Sequence, residues 1–398
     1  MHKFAPNATA PRQIVYATRE VIIAAGALHS AQILQLSGFG PAAILNQFHI
    51  PIALNLPGVG NNLQDHCLVG TFYPCEHCHS PIFIVPFLIE WADNNASYPS
   101  PTELVTNATY NIEAEQEYNI NKTGRHPHSC LVVQPLTYPG PWTAGSPNAL
   151  AFNPLPLITN NSAIILLNAT YQAPTDFLIP GLDPTVIAGY AAQQQSLALR
   201  LARITTAAYE IINNNAGSLT VAVLHPFSRG TCHIQSADPF EPPSINPRWL
   251  TNPVDRQILV EALFFNRQIL ATPPMVELQS AQFVPPINAD EAALNQIIDN
   301  GLRTVFHPSG TLAMLPLEQG GVVDSHLRVW GTQNLRVVDA SIFPMIPAAH
   351  LQAVVYGVAE KVCVTPSGLG TLLTLYPRLP TSSRPTIYQQ VGYRLPLQ

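Results

Sequence analysis

Two histidines stand in short, punctuated segments near the C-terminal end of the chain. His307 lies in Phe306-His307-Pro308-Ser309-Gly310-Thr311, and His350 in Pro347-Ala348-Ala349-His350-Leu351-Gln352. Imidazole is the side chain whose ordinary pKa lies nearest neutrality, so a histidine pair is suited to moving a proton at working pH. An alcohol is oxidised by losing a proton from oxygen and a hydride from carbon. A histidine can take the proton. No side chain can take the hydride, so that chemistry needs a cofactor.

The segments that must position these residues read as alternating strand and helix. Gln13 to Ala25 is expected as a strand, with a polar break before the apolar run Val21-Ile22-Ile23-Ala24-Ala25. A helix is expected over Ser30–Leu36, closed by Ser37-Gly38. A short helix over Pro41–Phe48 and a strand over Ile50–Leu54 follow. Further on, Ala192–Asn213, Asp255–Leu270, Glu291–Leu302 and His350–Val362 read as helices. Strands are expected within Val221–Ile234 and over Leu335–Val338. The stretch from Cys67 to Gly189 is rich in proline and asparagine with few clear periodicities, and Thr365–Gln398 reads as an irregular tail.

Composition excludes some classes. A net charge of −6 gives no electrostatic footprint for nucleic acid. No apolar run is long enough to span a bilayer. Met1–Arg12 has no apolar signal-peptide core, which by itself favours the cytoplasm. Six Asn-x-Ser/Thr sequons, at Asn7, Asn95, Asn107, Asn121, Asn160 and Asn168, point the other way, to a secreted glycoprotein. Cys75-Glu76-His77-Cys78-His79 matches a haem-attachment pattern in form. It lacks a second ligand pair at zinc spacing, so a loop disulfide or free thiols is the better reading, and no metal is expected.

Several motifs in order resemble the glucose-methanol-choline (GMC) flavoprotein oxidoreductases. Gly26-Ala27-Leu28-His29-Ser30 through Gly38-Phe39-Gly40 is similar to the family's second signature, with Ala31 where proline is commoner. Pro57-Gly58-Val59-Gly60-Asn61-Asn62-Leu63-Gln64-Asp65-His66 follows at the family's spacing. Ser228-Arg229-Gly230-Thr231, Ala237-Asp238-Pro239 and Pro243–Leu250 resemble structural turns of the family's substrate domain. The strongest likeness runs from Arg303 to Lys361, through Gly320-Gly321-Val322-Val323-Asp324 and Val338-Asp339-Ala340-Ser341. The resemblance covers residues 13–364, weakly over 67–189.

The resemblance implies an α/β protein, α+β overall. A partial FAD-binding, Rossmann-like domain would come from residues 1–66 and 319–364. A substrate domain with an antiparallel sheet and helices would come from 67–318. The pair is of the His/His type, as in the family's aryl-alcohol oxidases and glucose oxidase. It implies His307 as base, His350 as its partner on the substrate oxygen, and FAD as hydride acceptor. Asn62, Leu63, Asp339, Ala340, His350, Leu351 and Gln352 would meet the cofactor, and the small residues of 57–66 would let backbone approach it. The partner would be a small alcohol or apolar metabolite.

The family also has a strand, a Gly-x-Gly-x-x-Gly turn, a helix and an acidic ribose-binding residue near its start. None of these fits here, and Gly58-Val59-Gly60 has neither a buried strand leading into it nor a helix after it. Three readings follow: a fragment of a full oxidase; a shortened protein using the histidines without flavin for cyclisation, dehydration, isomerisation or lyase chemistry; or an inactive remnant. The last would need a homo-oligomeric or complementing chain to cover an open sheet edge.

Overall fold

A computed structural model describes residues 16–72, 149–214, 218–273, 286 and 288–364. The loop around Cys75–His79, the sequons at Asn7, Asn95, Asn107 and Asn121, and the tail 365–398 lie outside these. The chain divides into two units, Met1–His350 and Leu351–Gln398. The fold is α/β.

The first unit opens with β1 (Val21–Ile23) and α1 (Gly26–Leu36). Of the expected strand, residues 13–15 lie outside the described residues and β1 takes only Val21–Ile23; just before it, Glu20 pairs with Arg336 of the partner strand at 2.5 Å. β2 (Phe39–Gly40), α2 (Ala42–Gln47) and β3 (Leu54–Asn55) follow. β4 (Cys67–Phe72) then leads to β5 (Ala149–Asn153), α3 (Leu155–Ile158), α4 (Ser162–Tyr171) and α5 (Pro184–Leu201). The sequence pattern had carried helix on to Asn213. Instead α5 stops at Leu201, and β6 (Tyr209–Asn214) begins after a turn. Tyr209, Ile211 and Ile212 prefer a pleated strand to a helix.

β7 (Ser218–Val223), β8 (Thr231–His233), β9 (Ser244–Asn246), α6 (Pro253–Leu270), α7 (Glu291–Gly301), β10 (Arg303–Thr304) and β11 (Leu335–Val337) complete the unit. The second unit contributes α8 (Leu351–Val364). α6 shows why these helices form where they do. Pro253 occupies its first turn, and the Asn252 side chain accepts from Val254 N at 3.0 Å. Val254, Ile258, Ala262 and Leu263 are buried along one face.

Five strands make an antiparallel sheet in the order β10-β4-β7-β6-β5. Side chains alternate across it. Cys67, Val69, Tyr209, Ile211, Val221 and Val223 point into the main apolar core with α6. The opposite face carries Leu68, Glu210 and Ala222, which lie in register across three strands. β1 and β11 form a separate parallel pair, Val21 opposite Leu335.

Cys67 and Cys232 are buried free thiols. Among the described residues no group of three or more His, Cys, Asp or Glu is placed to hold a metal. No helix there is long and apolar enough to cross a membrane. Asn160 and Asn168 are exposed.

Candidate active site

The site is built around the tripeptide Gln64-Asp65-His66, which enters β4. Gln64 pairs backbone to backbone with Ser309, N–H to carbonyl in both directions at 2.9 and 3.0 Å. Its side chain reaches the loop before His350, donating to Pro344 O at 3.0 Å and accepting from Ile346 N at 3.1 Å. Asp65 accepts from His307 N at 3.0 Å and from Thr304 Oγ1 at 2.6 Å. Val305 N donates to His66 O at 3.0 Å. One short segment thus splints both histidine-bearing loops. Burial lifts the Asp65 carboxyl to about 6, against the lowering effect of the hydrogen bonds it accepts.

The two expected histidines come together. Their ring centroids are 5.1 Å apart, at 72°. Burial, then the neighbouring His350, holds His307 down at about 4, so its ring is neutral at pH 7. A neutral ring can accept a proton.

Three participants carried no role in the sequence reading. Glu210, wholly buried on β6, lies 3.2 Å from His350 through Oε2 and Nε2. Its carboxyl is raised by burial, with His350 pulling the other way. His66 places Nδ1 at 2.9 Å from His307 Nδ1, with ring centroids 5.0 Å apart. It is held at about 3 by burial, then by His307 and His225. His225 is itself held at about 4 by burial. A signal for Glu210 does exist: a lone charge in the apolar run Tyr209-Glu210-Ile211-Ile212. His66 closes the loop motif Pro57–His66, but nothing local marks its partner, 241 residues away.

Phe306, beside the base, is 83% exposed and has φ +62°. Left-handed backbone at an aromatic residue costs about 1–2 kcal/mol and persists only where the surroundings enforce it. Here the Phe306 N–H is held by Thr304 Oγ1 at 2.7 Å, and Thr304 in turn by Asp65.

The other expected site residues fall as follows. The Asn62 side chain is a clasp, accepting from Arg229 Nε at 2.9 Å and donating to Gly310 O and Pro344 O. The backbone of Leu63 pairs with Gly230. Two glycines of this loop lie in close approach to other backbone. A Cβ on Gly58 would meet Gly320 O at 1.8 Å, and one on Gly60 would meet Cys232 O at 2.3 Å, so they admit the protein's own backbone. A cleft runs along Asn62, Tyr190, Gln193 and Arg229, and neither histidine of the pair lines it. Asp339 accepts from Gly26 N at 3.0 Å, Ser30 Oγ at 2.5 Å and Ser341 N at 2.8 Å, with Ala340 next to it opening a 3-10 turn. Leu351 and Gln352 open α8 in the second unit.

Comparison with known proteins bears on this arrangement. Models described as GMC oxidoreductase match residues 4–68 and 226–359. A GMC oxidoreductase family protein, Mala s 12, of Malassezia sympodialis is 32% identical over 90% of this chain and 50% of its own length. Patulin synthase of Aspergillus clavatus is 33% identical over 90% and 50%. The chain spans about half the length of these curated relatives. Among solved structures, an FAD-dependent oxidoreductase from Chaetomium thermophilum superposes with a TM-score of 0.74 at 29% identity, over 91% of this chain and 57% of that one. A fungal aryl-alcohol oxidase gives 0.70 at 33%, over 86% and 53%. With both sequence blocks matched and the paired histidines assembled on the sheet, the chain belongs to the GMC oxidoreductase family.

Proposed function

We propose that this chain serves the oxidation of a small alcohol, with His307 as the base and FAD as the hydride acceptor. The observation that carries the reading is the neutral His307 ring held against His350, whose Nε2 is engaged by buried Glu210. His307 takes the hydroxyl proton as the C–H bond weakens. As a carboxylate, Glu210 accepts from Nε2 of His350 and orients its ring beside the base. A base so placed contributes about 10²–10⁴-fold.

The side chains present suit the reactive end of a flavin. Both histidine rings are partly exposed, and the buried hydroxyls of Ser309 and Ser341, in the flanking segments, have no hydrogen-bond partner. The family likeness assigns the contacts to Asn62, Leu63, Asp339, Ala340, His350, Leu351 and Gln352. The flavin, when bound, supplies the hydride acceptor that no side chain can be.

Exposed Phe306 beside the base favours an aromatic or otherwise apolar alcohol. The names of the relatives, an aryl-alcohol oxidase and a patulin synthase, support the same class. Adding FAD to the purified chain and following flavin absorbance and the oxidation of a panel of aryl alcohols tests the reading. Flavin uptake with turnover that His307→Ala abolishes is the expected result. A folded chain that stays colourless with FAD present overturns it.

A further inference from the structure

The His66–His307 contact has a consequence for the proton on the base. The two Nδ1 atoms are 2.9 Å apart, so one carries a hydrogen and the other a lone pair. Which is which decides whether His307 can act. If His66 donated, the proton of neutral His307 would sit on Nε2, and the outward nitrogen would be a donor rather than a base. If His307 donates, its Nε2 is left with a free lone pair.

The role of His307 as base chooses between these. The His66 ring is wholly buried and its Nε2 has no hydrogen-bond partner, so Nδ1 is the nitrogen through which it acts on its neighbour. A base must present a lone pair to the substrate, and with Nδ1 of His307 engaged by His66 that lone pair has to be on Nε2. The proton of neutral His307 is then on Nδ1, and His66 accepts it at Nδ1 with its own proton on Nε2.

We propose that His66 is a positioning residue that fixes the tautomer of His307: Nδ1–H of His307 donates to Nδ1 of His66, and His307 Nε2 stays open to the substrate hydroxyl. When that nitrogen takes the substrate proton, the His66 lone pair still receives the Nδ1–H, so the charged ring is held in place. This rests on the reading of His307 as the base. The contact itself can be tested without flavin.

The experiment is long-range ¹H–¹⁵N correlation on the full chain labelled with ¹⁵N-histidine at pH 7, with His307 assigned by the loss of its signals in His307→Ala. The expected pattern is protonated Nδ1 and unprotonated Nε2 for His307, and the opposite for His66. A wild-type His307 protonated on Nε2 overturns the proposal. In His66→Leu the acceptor is gone, and His307 should move to the Nε2–H form or to a mixture. In His66→Asn an amide oxygen can restore the Nδ1–H form. If His66→Leu does not fold, the wild-type spectrum still decides. In chain that turns over alcohol, His66→Leu should lower kcat by about 10²–10⁴-fold, the contribution of a positioned base, with little change in KM and with recovery in His66→Asn. Absence of flavin uptake would remove the redox reading and leave the tautomer result standing.

Discussion

The five-stranded sheet and the β1–β11 pair hold their site residues in different ways. On the sheet, a broad apolar core lies beneath and a polar cluster above, where His66, Glu210 and His307 draw partners from β4, β6 and the loop after β10. The β1–β11 pair has two three-residue strands, with Val21 48% exposed. The Asp339 carboxylate gathers three donors where α1 begins and the chain leaves β11. The proton-handling side thus draws on several side chains, whereas around the β1–β11 pair the side-chain hydrogen bonds converge on one carboxylate. Chemistry and stability should therefore respond to different substitutions.

The largest effect is expected at the base. His307→Ala should lower kcat/KM for alcohol oxidation by about 10²–10⁴-fold while leaving the unfolding temperature nearly unchanged, since Asp65 holds the loop through the backbone N–H. A parallel collapse in stability would show that the pocket is not self-supporting. Next comes Asp339→Ala, which strands three donors, Gly26 N, Ser30 Oγ and Ser341 N. Buried donors without partners cost about 1–3 kcal/mol each. Hydrogen exchange should quicken across β1, α1 and β11 and stay slow in β4, β6 and β7. Uniform loss of protection would mean the two regions unfold as one.

Glu210→Gln is a smaller change. It keeps volume and one acceptor and loses the charge facing His350. A charge-assisted hydrogen bond is worth about 1.5–3 kcal/mol, so kcat/KM should fall about 10- to 100-fold. Equal activity across the pH range would show that Glu210 serves packing alone.

The sequence made legible what is local. α6 showed its apolar spacing, and both α6 and α7 emerge within two residues of where pattern placed them. β6 was hidden because an alanine-rich helix runs almost into it, and the strand-forming Tyr209, Ile211 and Ile212 come in a short burst. The His307–His350 pair was legible through motif. Its supports were not, because Asp65, His66 and Glu210 act across separations of 140 residues or more. Asn62 and the loop glycines were legible as special, but the segments that Gly58 and Gly60 pack against, at Gly320 and Cys232, are far away in sequence.

Acid should separate the two regions by a gentler route. Burial holds His66 at about 3 and His225, His233 and His307 at about 4, against an ordinary 6.5. Between pH 6.5 and about 4 the unfolded chain binds protons that the folded chain refuses, so stability falls as pH drops through that window. Asp65 works in the opposite sense. Its folded value of about 6 lies above the ordinary 3.8, so folding takes up a proton there and gains as pH falls from 6 towards 4. Glu210 and Asp255, which burial also raises, act in the same sense as Asp65, so four imidazoles stand against three carboxyls, and the imidazoles set the expected loss in acid. Three of the four stand in the histidine pocket, and only His233 lies by α1, against Gln35 at 3.3 Å. Lowering pH from 7 to 4.5 should therefore loosen amides of β4, β6 and β10 more than those of β1 and β11, the reverse of Asp339→Ala. His233→Asn should make the pH slope of stability only slightly shallower. If it removes most of the slope, the acid-sensitive region is the one around α1, and the contrast between the two regions is inverted.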